Sequence, residues 1–379
     1  MIRRILLCIL LSVAVCFTGC RSTRSNRPGT ADSIAYATGF RFIPGPDYTI
    51  VEVKNPWMEG ALLERYVLVP DTAALPEQLP AGTLVRTPLK RVVVGTSIHC
   101  SVLAAIGIRE QIAGVCSPQY IKLDFIRRGL QDDTIADLGS SARPDAERLI
   151  ELAPDALFVS SVNRASAFGK FRQAGIPVIE CADYMETHPL GRSEWMRFYG
   201  LLFDRSFCAD SLFRETVTAY NAVKETVAAA ESRPSMLSET KMGAAWYVPG
   251  GGSYMARLYL DAGADYPWSD TPESGSLPLS PETVLERAGD ADIWLIKYNS
   301  PDEMTYEKLA GEQPVYSLFR PFRERHVFGC NTAQKNFYED LVVHPDWILQ
   351  DLAHVFHPEL SDGYLPRYFL PLKTASAHE

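Results

Sequence analysis

The sequence predicts an α/β protein with two lobes, each built on a central sheet, joined by a single long helix and preceded by a β-rich extension. Strands and helices alternate on both sides of a mostly helical, strand-free segment at 191–230. The chain has 379 residues, more than one compact core usually holds. Its 46% apolar and 22% charged residues are typical of a globular protein and exclude wholesale disorder.

The start of the chain is predicted to be an export signal followed by a tether. Two arginines precede an apolar run at 5–17, which has the length of a signal-peptide core. The run ends in Gly19-Cys20, which resembles a lipobox, so we expect removal of residues 1–19 and lipidation of Cys20. Residues 20–33 then form the lipidated tether. The alternative is an ordinary cleaved signal with a chance cysteine.

Two segments follow the tether, a β-rich extension at 34–90 and a first α/β lobe at 91–185. Short β-branched and aromatic runs broken by turns predict the strands of the extension. In the first lobe, buried strands alternate with helices, a pattern typical of a parallel sheet covered on both faces. The predicted strands lie at 91–96, 111–115, 134–138, 156–160 and 177–181, and the helices at 101–106, 144–152 and 165–174.

The predicted linker and second lobe complete the chain. Residues 186–231 are interpreted as one long helix, with a possible bend near 202–210, and residues 232–379 as the second α/β lobe. A short internal repeat supports the two-lobe interpretation. Glu147 and Glu282 are each followed eight residues later by Asp-Ala and then by a buried strand. In the second lobe, strands are predicted at 243–248, 293–297 and 326–328, and helices at 254–262, 281–288 and 346–356.

Several segments resemble one protein family. They are Pro-Asp-Ala-Glu147-Arg-Leu-Ile-Glu-Leu-Ala-Pro-Asp155-Ala-Leu-Phe-Val, Leu279-Ser-Pro-Glu282-Thr-Val-Leu, Tyr184-Met-Glu-Thr-His-Pro-Leu-Gly-Arg-Ser-Glu194-Trp, His344-Pro-Asp346 and Phe356-His-Pro358. In this order they are similar to the helical-linker, class III periplasmic binding proteins that deliver iron chelates and cobalamin to ABC importers. The resemblance covers about residues 91–360 and implies a ligand cleft between two α/β lobes.

The candidate ligand-binding residues follow from this cleft. In open α/β sheets, ligands bind beyond the carboxyl ends of the strands. Arginine offers a planar fork for ligand oxygens, and aromatic side chains suit a large flat or hydrophobic chelate. His99 follows a strand end, where an axial haem ligand is an alternative to core packing. The predicted contacts are His99, Tyr120, Arg143, Arg164 and Tyr184 in the first lobe and Tyr247, Tyr254, Trp268 and Tyr298 in the second.

Glu147 and Glu282 are predicted to dock the protein on its permease. Each lies just inside a helix start, where a carboxylate also stabilises the helix dipole, so a purely structural role is the alternative. The resemblance implies that each glutamate projects from the top of one lobe and pairs with an arginine of the permease. The partners expected are therefore the ABC permease with its ATPase subunits, the metal-chelate ligand, and the membrane through the lipid anchor.

The expected function is that of a periplasm-facing, membrane-anchored substrate-binding lipoprotein, acting as a monomer. Its expected ligand is a ferric siderophore first, then cobalamin, then haem. A net charge of −9 argues against nucleic-acid binding. We expect no cofactor, no catalytic residues and no protein-held metal, because no nucleophile–base or metal-binding motif is present. The alternatives are a metal- or tetrapyrrole-handling enzyme of related fold and a structural envelope lipoprotein.

Overall fold

A computed structural model describes residues 34–161 and 168–374. The predicted signal peptide, Cys20 with its tether, and Arg164 lie outside these described residues. Within them, the predicted fold class is confirmed, with two α/β lobes and a β-rich extension. No helix of the described ranges has both the length and the apolar character needed to cross a membrane.

The extension is a four-stranded sheet with one buried face. Its first three strands are antiparallel neighbours, and the fourth runs parallel to the third. Alternation along the strands directs Val51, Val53, Tyr66 and Val85 into the core. The Tyr66 hydroxyl donates to the carbonyl oxygen of Val178 (3.0 Å), which joins the sheet to the first lobe. The strands are β1 (Phe40–Pro44), β2 (Thr49–Lys54), β3 (Leu62–Pro70) and β4 (Thr83–Thr87).

The first lobe contains a five-stranded, fully parallel sheet in the order β7-β6-β5-β8-β9. Val92 and Val94 pack into one hydrophobic cluster and Val93 into another, so helices cover both faces. The strand order reverses at the central strand, which is where such sheets bind ligands. The strands are β5 (Val92–Val94), β6 (Ile112–Val115), β7 (Ala136–Asp137), β8 (Ala156–Ser160) and β9 (Val178–Cys181). The helices are α1 (Ser97–Ala105), α2 (Asp124–Gln131), α3 (Ala146–Leu152) and α4 (Gly169–Gln173).

The segment predicted as one long helix contains two helices, α5 (Pro189–Leu202) and α6 (Ser206–Val227). The turn between them falls within the predicted bend and places Asp204 in the left-handed region, at φ +55°. A Cβ at Gly200 would lie 2.6 Å from the Cβ of Ala209, so glycine allows the two helices to pack closely. Helix α6, with 22 residues and a length of about 33 Å, is the long helix that leads into the second lobe.

The second lobe combines a mixed sheet with a small antiparallel one. The mixed sheet has the order β10-β14-β15-β16, with only the last strand antiparallel. The strand predicted at 243–248 is β12, and it belongs to the separate antiparallel sheet β11-β12-β13 instead of continuing the parallel one. The strands are β10 (Met236–Ser238), β11 (Lys241–Met242), β12 (Ala245–Pro249), β13 (Ser276–Leu279), β14 (Ile293–Tyr298), β15 (Val327–Asn331) and β16 (Leu370–Pro371).

Aromatic side chains fill part of the core of the second lobe, and helices pack around its sheets. Trp246 and Trp294 pack with their ring centroids 5.7 Å apart, and Tyr316 lies edge-on to both. Such tilted and edge-on contacts are the favoured geometry of aromatic cores. The helices are α7 (Tyr254–Asp261), α8 (Pro281–Ala288), α9 (Tyr306–Glu312), α10 (Arg320–Arg323), α11 (Phe337–Val343) and α12 (Pro345–Phe356).

Two buried glutamates fasten the start of the described chain to the first lobe. Glu194 on α5 accepts hydrogen bonds from the backbone N–H groups of three successive residues, 35–37, at 2.8–3.1 Å. Glu186 accepts from the backbone N–H groups of Thr38 (2.9 Å) and Gly39 (2.8 Å). The indole N–H of Trp195 donates to the same carboxylate (2.8 Å). We call these contacts the glutamate clamp.

Candidate functional site

The loops at the carboxyl ends of the strands in the two lobes meet each other. Lys122, after β6, donates through Nζ to the carbonyl oxygens of Thr332 and Lys335 (2.8 Å to the latter), which follow β15. Arg192, near the start of α5, lies over the ring of Tyr254 at the start of α7, with Cζ 4.9 Å from the ring centroid. We call the region between these loops the inter-lobe cleft.

The first-lobe side of the cleft contains a buried charged network. His99 Nε2 lies 3.1 Å from Asp183 Oδ1, and Arg192 Nε donates to Asp183 Oδ2 (3.0 Å). Thr96 caps α1, and its Oγ1 lies 2.7 Å from His99 Nδ1. Each of the three ionisable side chains is less than 5% exposed. The network thus connects helix α1, which follows β5, with the segment that follows β9.

The ionisation of this network follows from its contacts. Burial alone would lower the pKa of His99, but Cys181 and the Asp183 carboxylate raise it to about 10. Burial would likewise raise the pKa of Asp183, but His99 and Arg192 lower it to about 2. These shifts place an ionised Asp183 between the two basic side chains His99 and Arg192.

The second-lobe side contains a different ion pair. Lys297, at the end of β14, pairs through Nζ with Glu239 Oε1, directly after β10. Burial would lower the pKa of Lys297, but the Glu239 carboxylate raises it above its ordinary value. Lys297 and Tyr254 both interact electrostatically with the half-exposed Tyr338, which lies in the first turn of α11. Lysine, glutamate and two tyrosines therefore interact with one another on the second-lobe side, and of these Tyr254 contacts Arg192.

Among the residues predicted from the sequence, several lie on these loops. Tyr120, after β6, is 68% exposed, and Arg143, after β7, is exposed. Tyr184, after β9, is half-buried and donates its hydroxyl to the carbonyl oxygen of Ser161 (2.8 Å). These residues lie at the carboxyl edge of the first-lobe sheet, as expected. Their contact with ligand remains a prediction.

In the second lobe, the predicted tyrosines are divided between the cleft and the outer surface of the antiparallel sheet. Tyr254 faces Arg192 across the cleft. Tyr298 ends β14, is half-buried, and accepts a hydrogen bond from the backbone N–H of Met304 (3.1 Å). Tyr247 is exposed on β12.

Two predicted ligand contacts are enclosed by protein instead. His99 is 2% exposed, and both ring nitrogens are engaged by Thr96 and Asp183, which leaves no open nitrogen for a haem iron. Trp268 is 2% exposed, packs against Tyr266 at 5.7 Å, and lies beneath the guanidinium of Arg287. The structure therefore argues against direct ligand contact by either side chain.

Three residues of the cleft were not predicted, namely Lys122, Arg192 and Lys297. Arg192 lies inside the segment 184–195 that carried part of the resemblance, but nothing in its sequence pattern marked it as a cleft residue. The other two are isolated polar positions, and only the chain topology brings them to the cleft.

The two candidate docking glutamates occupy equivalent local positions. Glu147 lies in the first turn of α3, which Asp145 caps by accepting from the backbone N–H of Arg148 (3.1 Å). Glu282 lies in the first turn of α8, which Ser280 caps in the same way. Hydrogen bonds from its own backbone N–H and from Ser280 lower the pKa of Glu282. Both side chains are exposed, and their role in docking remains a prediction.

The described residues contain no cluster of three or more His, Cys, Asp or Glu side chains arranged to hold a metal ion. The five cysteines of the described ranges are unpaired, and four of them are buried. Burial raises the pKa of the Cys116 and Cys330 thiols to about 12, so these groups remain protonated and unreactive at neutral pH.

A family model described as periplasmic binding protein matches residues 92–333, more than half of the chain. The chain therefore belongs to the periplasmic binding protein family. The match begins at β5 and ends just after β15, so it covers both lobes and leaves the extension outside.

The chain is also similar to individual curated proteins and solved structures. Two uncharacterized lipoproteins of Methanocaldococcus jannaschii are 27% identical over 297 residues (76% of this chain, 70% of the relative) and 23% identical over 387 residues (94% and 95%). Among solved structures, a periplasmic heme-binding protein from Pseudomonas aeruginosa has a TM-score of 0.60 at 17% identity, covering 76% of this chain and 99% of that chain. An ABC-type Fe3+-hydroxamate transport protein from Saccharomonospora viridis has a TM-score of 0.55 at 20% identity, covering 71% and 94%. At these identities, the solved structures establish the shared fold.

Proposed function

We propose that this protein is the substrate-binding component of an ABC importer, which captures a metal chelate between its lobes and delivers it to a membrane permease. The observation that carries the proposal is the contact of the two lobes where Lys122, after β6, reaches the residues that follow β15, together with the contact of Arg192 with Tyr254. Ligands of open α/β sheets bind at these edges, and here two such edges face one another.

The proposed ligand is a ferric siderophore first, then cobalamin, then haem. Tyrosines on both sides of the cleft support a large chelate with flat or apolar surfaces, because aromatic side chains contribute wide contact areas together with a hydroxyl. Tyr120 and Tyr184 supply this surface from the first lobe, and Tyr254, Tyr298 and Tyr338 supply it from the second. The solved relatives are named for haem and for Fe3+-hydroxamate, which supports the same broad class of ligand.

The proposed location is the cell envelope, with the protein facing the periplasm and anchored through a lipid on Cys20. The signal-like apolar run and Gly19-Cys20 support this anchor. The relatives from M. jannaschii that are named lipoproteins support it independently. In the proposed complex the protein is a monomer. Glu147 and Glu282 contact the permease, and the ATPase subunits bind the permease from the other side of the membrane.

Native mass spectrometry of the protein purified from its own envelope tests the proposed function. A co-purifying mass in the range of a siderophore, cobalamin or haem, which disappears on mild unfolding, is the expected result. Isothermal titration with ferrichrome, cyanocobalamin and iron(III) protoporphyrin IX provides the complementary measurement on protein stripped of ligand. Absence of a co-purifying mass together with no binding of any of the three chelates would refute the proposal.

A further inference from the structure

The guanidinium group of Arg192 is buried, charged and only partly engaged. Its side chain is 4% exposed, yet its one hydrogen bond within the described residues is from Nε to Asp183 Oδ2 (3.0 Å). The two terminal nitrogens donate to no group in the part of the chain that the structure describes, although both retain some solvent access. A buried charged donor without a partner has a substantial desolvation cost, so an acceptor from outside the protein would stabilise it.

Two neighbours of Arg192 orient its guanidinium. Asp183 accepts from Nε, and the ring of Tyr254 covers a face of the guanidinium plane at 4.9 Å. The outer edge of the plane, formed by the two terminal nitrogens, has no acceptor among the described residues. This edge matches the two coplanar oxygens of a carboxylate, which arginine binds through paired hydrogen bonds.

The basic side chains that contact one another's lobes differ in how fully they are engaged. Asp183 is shared between Arg192 and His99, so Arg192 has only part of one carboxylate. Across the cleft, Lys297 pairs with Glu239. Lys122 donates to the carbonyl oxygens of Thr332 and Lys335. Among these three basic side chains, Arg192 keeps donors that no described residue accepts from.

We propose that Arg192 binds a carboxylate on the periphery of the ligand, so that the captured chelates are those that carry a free carboxylate outside the metal coordination shell. This inference rests on the proposed function and specifies its ligand class. Arg192 is then a specificity residue, with Asp183 and Tyr254 fixing the plane of its guanidinium.

Matched pairs of chelates that differ in one carboxylate test the proposal on the unmodified protein. The pairs are iron(III) protoporphyrin IX and its dimethyl ester, N-succinyl and N-acetyl ferrioxamine B, and a cobalamin monocarboxylic acid and cyanocobalamin. Titration calorimetry measures Kd within each pair. For the type of chelate that the protein binds, the chelate with the free carboxylate is expected to bind about 10- to 100-fold more tightly than its matched partner without it. Charge-assisted hydrogen bonds imply a difference of this size.

Variants of Arg192 assign the preference to this side chain. Arg192→Met is expected to bring the two members of the pair to equal Kd, whereas Arg192→Lys, which keeps the charge but not the fork, retains part of the preference. Arg214→Met, which removes an exposed arginine on α6, serves as the matched control and leaves the preference unchanged. Thermal melting identifies any variant that fails to fold, and in that event the unmodified protein still provides the paired comparison.

The possible results separate the two proposals. Equal affinity within the pair that binds, or a preference that survives in a folded Arg192→Met variant, overturns the carboxylate site and leaves the chelate-binding function standing. No binding of any pair overturns the chelate-binding function itself. A preference for the carboxylate chelate that disappears in Arg192→Met and persists in Arg214→Met supports both the carboxylate site and the chelate-binding function.

Discussion

The glutamate clamp predicts that one substitution in α5 loosens the start of the described chain. Glu194 is 0% exposed, and its carboxylate accepts from the backbone N–H groups of Ala35, Tyr36 and Ala37. It also pairs with Arg197 (3.0 Å). Glu194→Ala removes the acceptor of three donors and one partner of Arg197 in a single step.

The expected magnitude follows from these contacts. Hydrogen bonds to a charged group each contribute about 1.5–3 kcal/mol, and breaking a buried ion pair costs about 3–5 kcal/mol. Because the freed N–H groups can reach water if residues 35–37 detach, the full sum is not realised. We therefore expect Glu194→Ala to lower the free energy of unfolding by about 3–5 kcal/mol, equivalent to a fall in Tm of about 4–7 °C.

Two measurements check this expectation. Thermal and denaturant unfolding give the global effect, and hydrogen exchange with mass spectrometry reports whether residues 35–39 lose protection. Glu215→Ala, which removes an exposed glutamate on the neighbouring helix α6, is the matched control and should change stability by less than about 0.5 kcal/mol. If Glu194→Ala behaves like Glu215→Ala in both measurements, the clamp does not hold the extension.

The remaining predictions concern anchoring, closure, docking and pH. Cys20→Ser should move the protein from the membrane pellet to the soluble envelope fraction, and a variant that still pellets would exclude lipidation at this residue. Small-angle scattering should show only a small fall in radius of gyration on ligand binding, because the closely packed helices α5 and α6 of the linker resist wide opening. Glu147→Arg combined with Glu282→Arg should sharply reduce uptake while ligand Kd and folding stay nearly unchanged, and unaffected transport or lost binding would contradict docking. Because its folded pKa of about 10 exceeds the usual 6.5, His99 should contribute stability that is complete below about pH 6.5 and lost towards pH 10, and His99→Gln should flatten this loss.

Local patterns in the sequence predict most elements of the fold. The strand predicted at 156–160 and the helix predicted at 281–288 coincide with β8 and α8. Both have strong local signals, a continuous apolar run in the first case and a Ser-Pro cap in the second. The division of the linker into α5 and α6 was harder to predict from the sequence, because the turn has Asp204 in a left-handed conformation where a glycine or proline would have marked it.

Pairing and burial depend on contacts between distant parts of the chain, and there the sequence is less informative. The strand near 243–248 was recognised, but its placement in an antiparallel sheet depends on β13, about 30 residues further along the chain. Trp268 was expected to contact ligand because aromatic residues suit chelates, yet Tyr266 and Arg287 enclose it. For Arg192 the reverse holds, because it was not predicted and yet lies in the cleft. In the sequence it is an arginine inside an ordinary helix, and only its contacts with Asp183 and Tyr254 give it a position in the cleft.

Helix α5 connects the extension to the cleft, because one short segment faces both. Glu186 and Glu194, eight residues apart, point to the extension and accept its backbone N–H groups. Arg192, two residues before Glu194, turns to the opposite side and pairs with Asp183. Helical geometry separates residues two apart by about 200°, so neighbouring positions serve the two surfaces without competing. The extension thus stabilises the helix that carries Arg192, and loosening the clamp should weaken chelate binding more than a substitution elsewhere in the extension does.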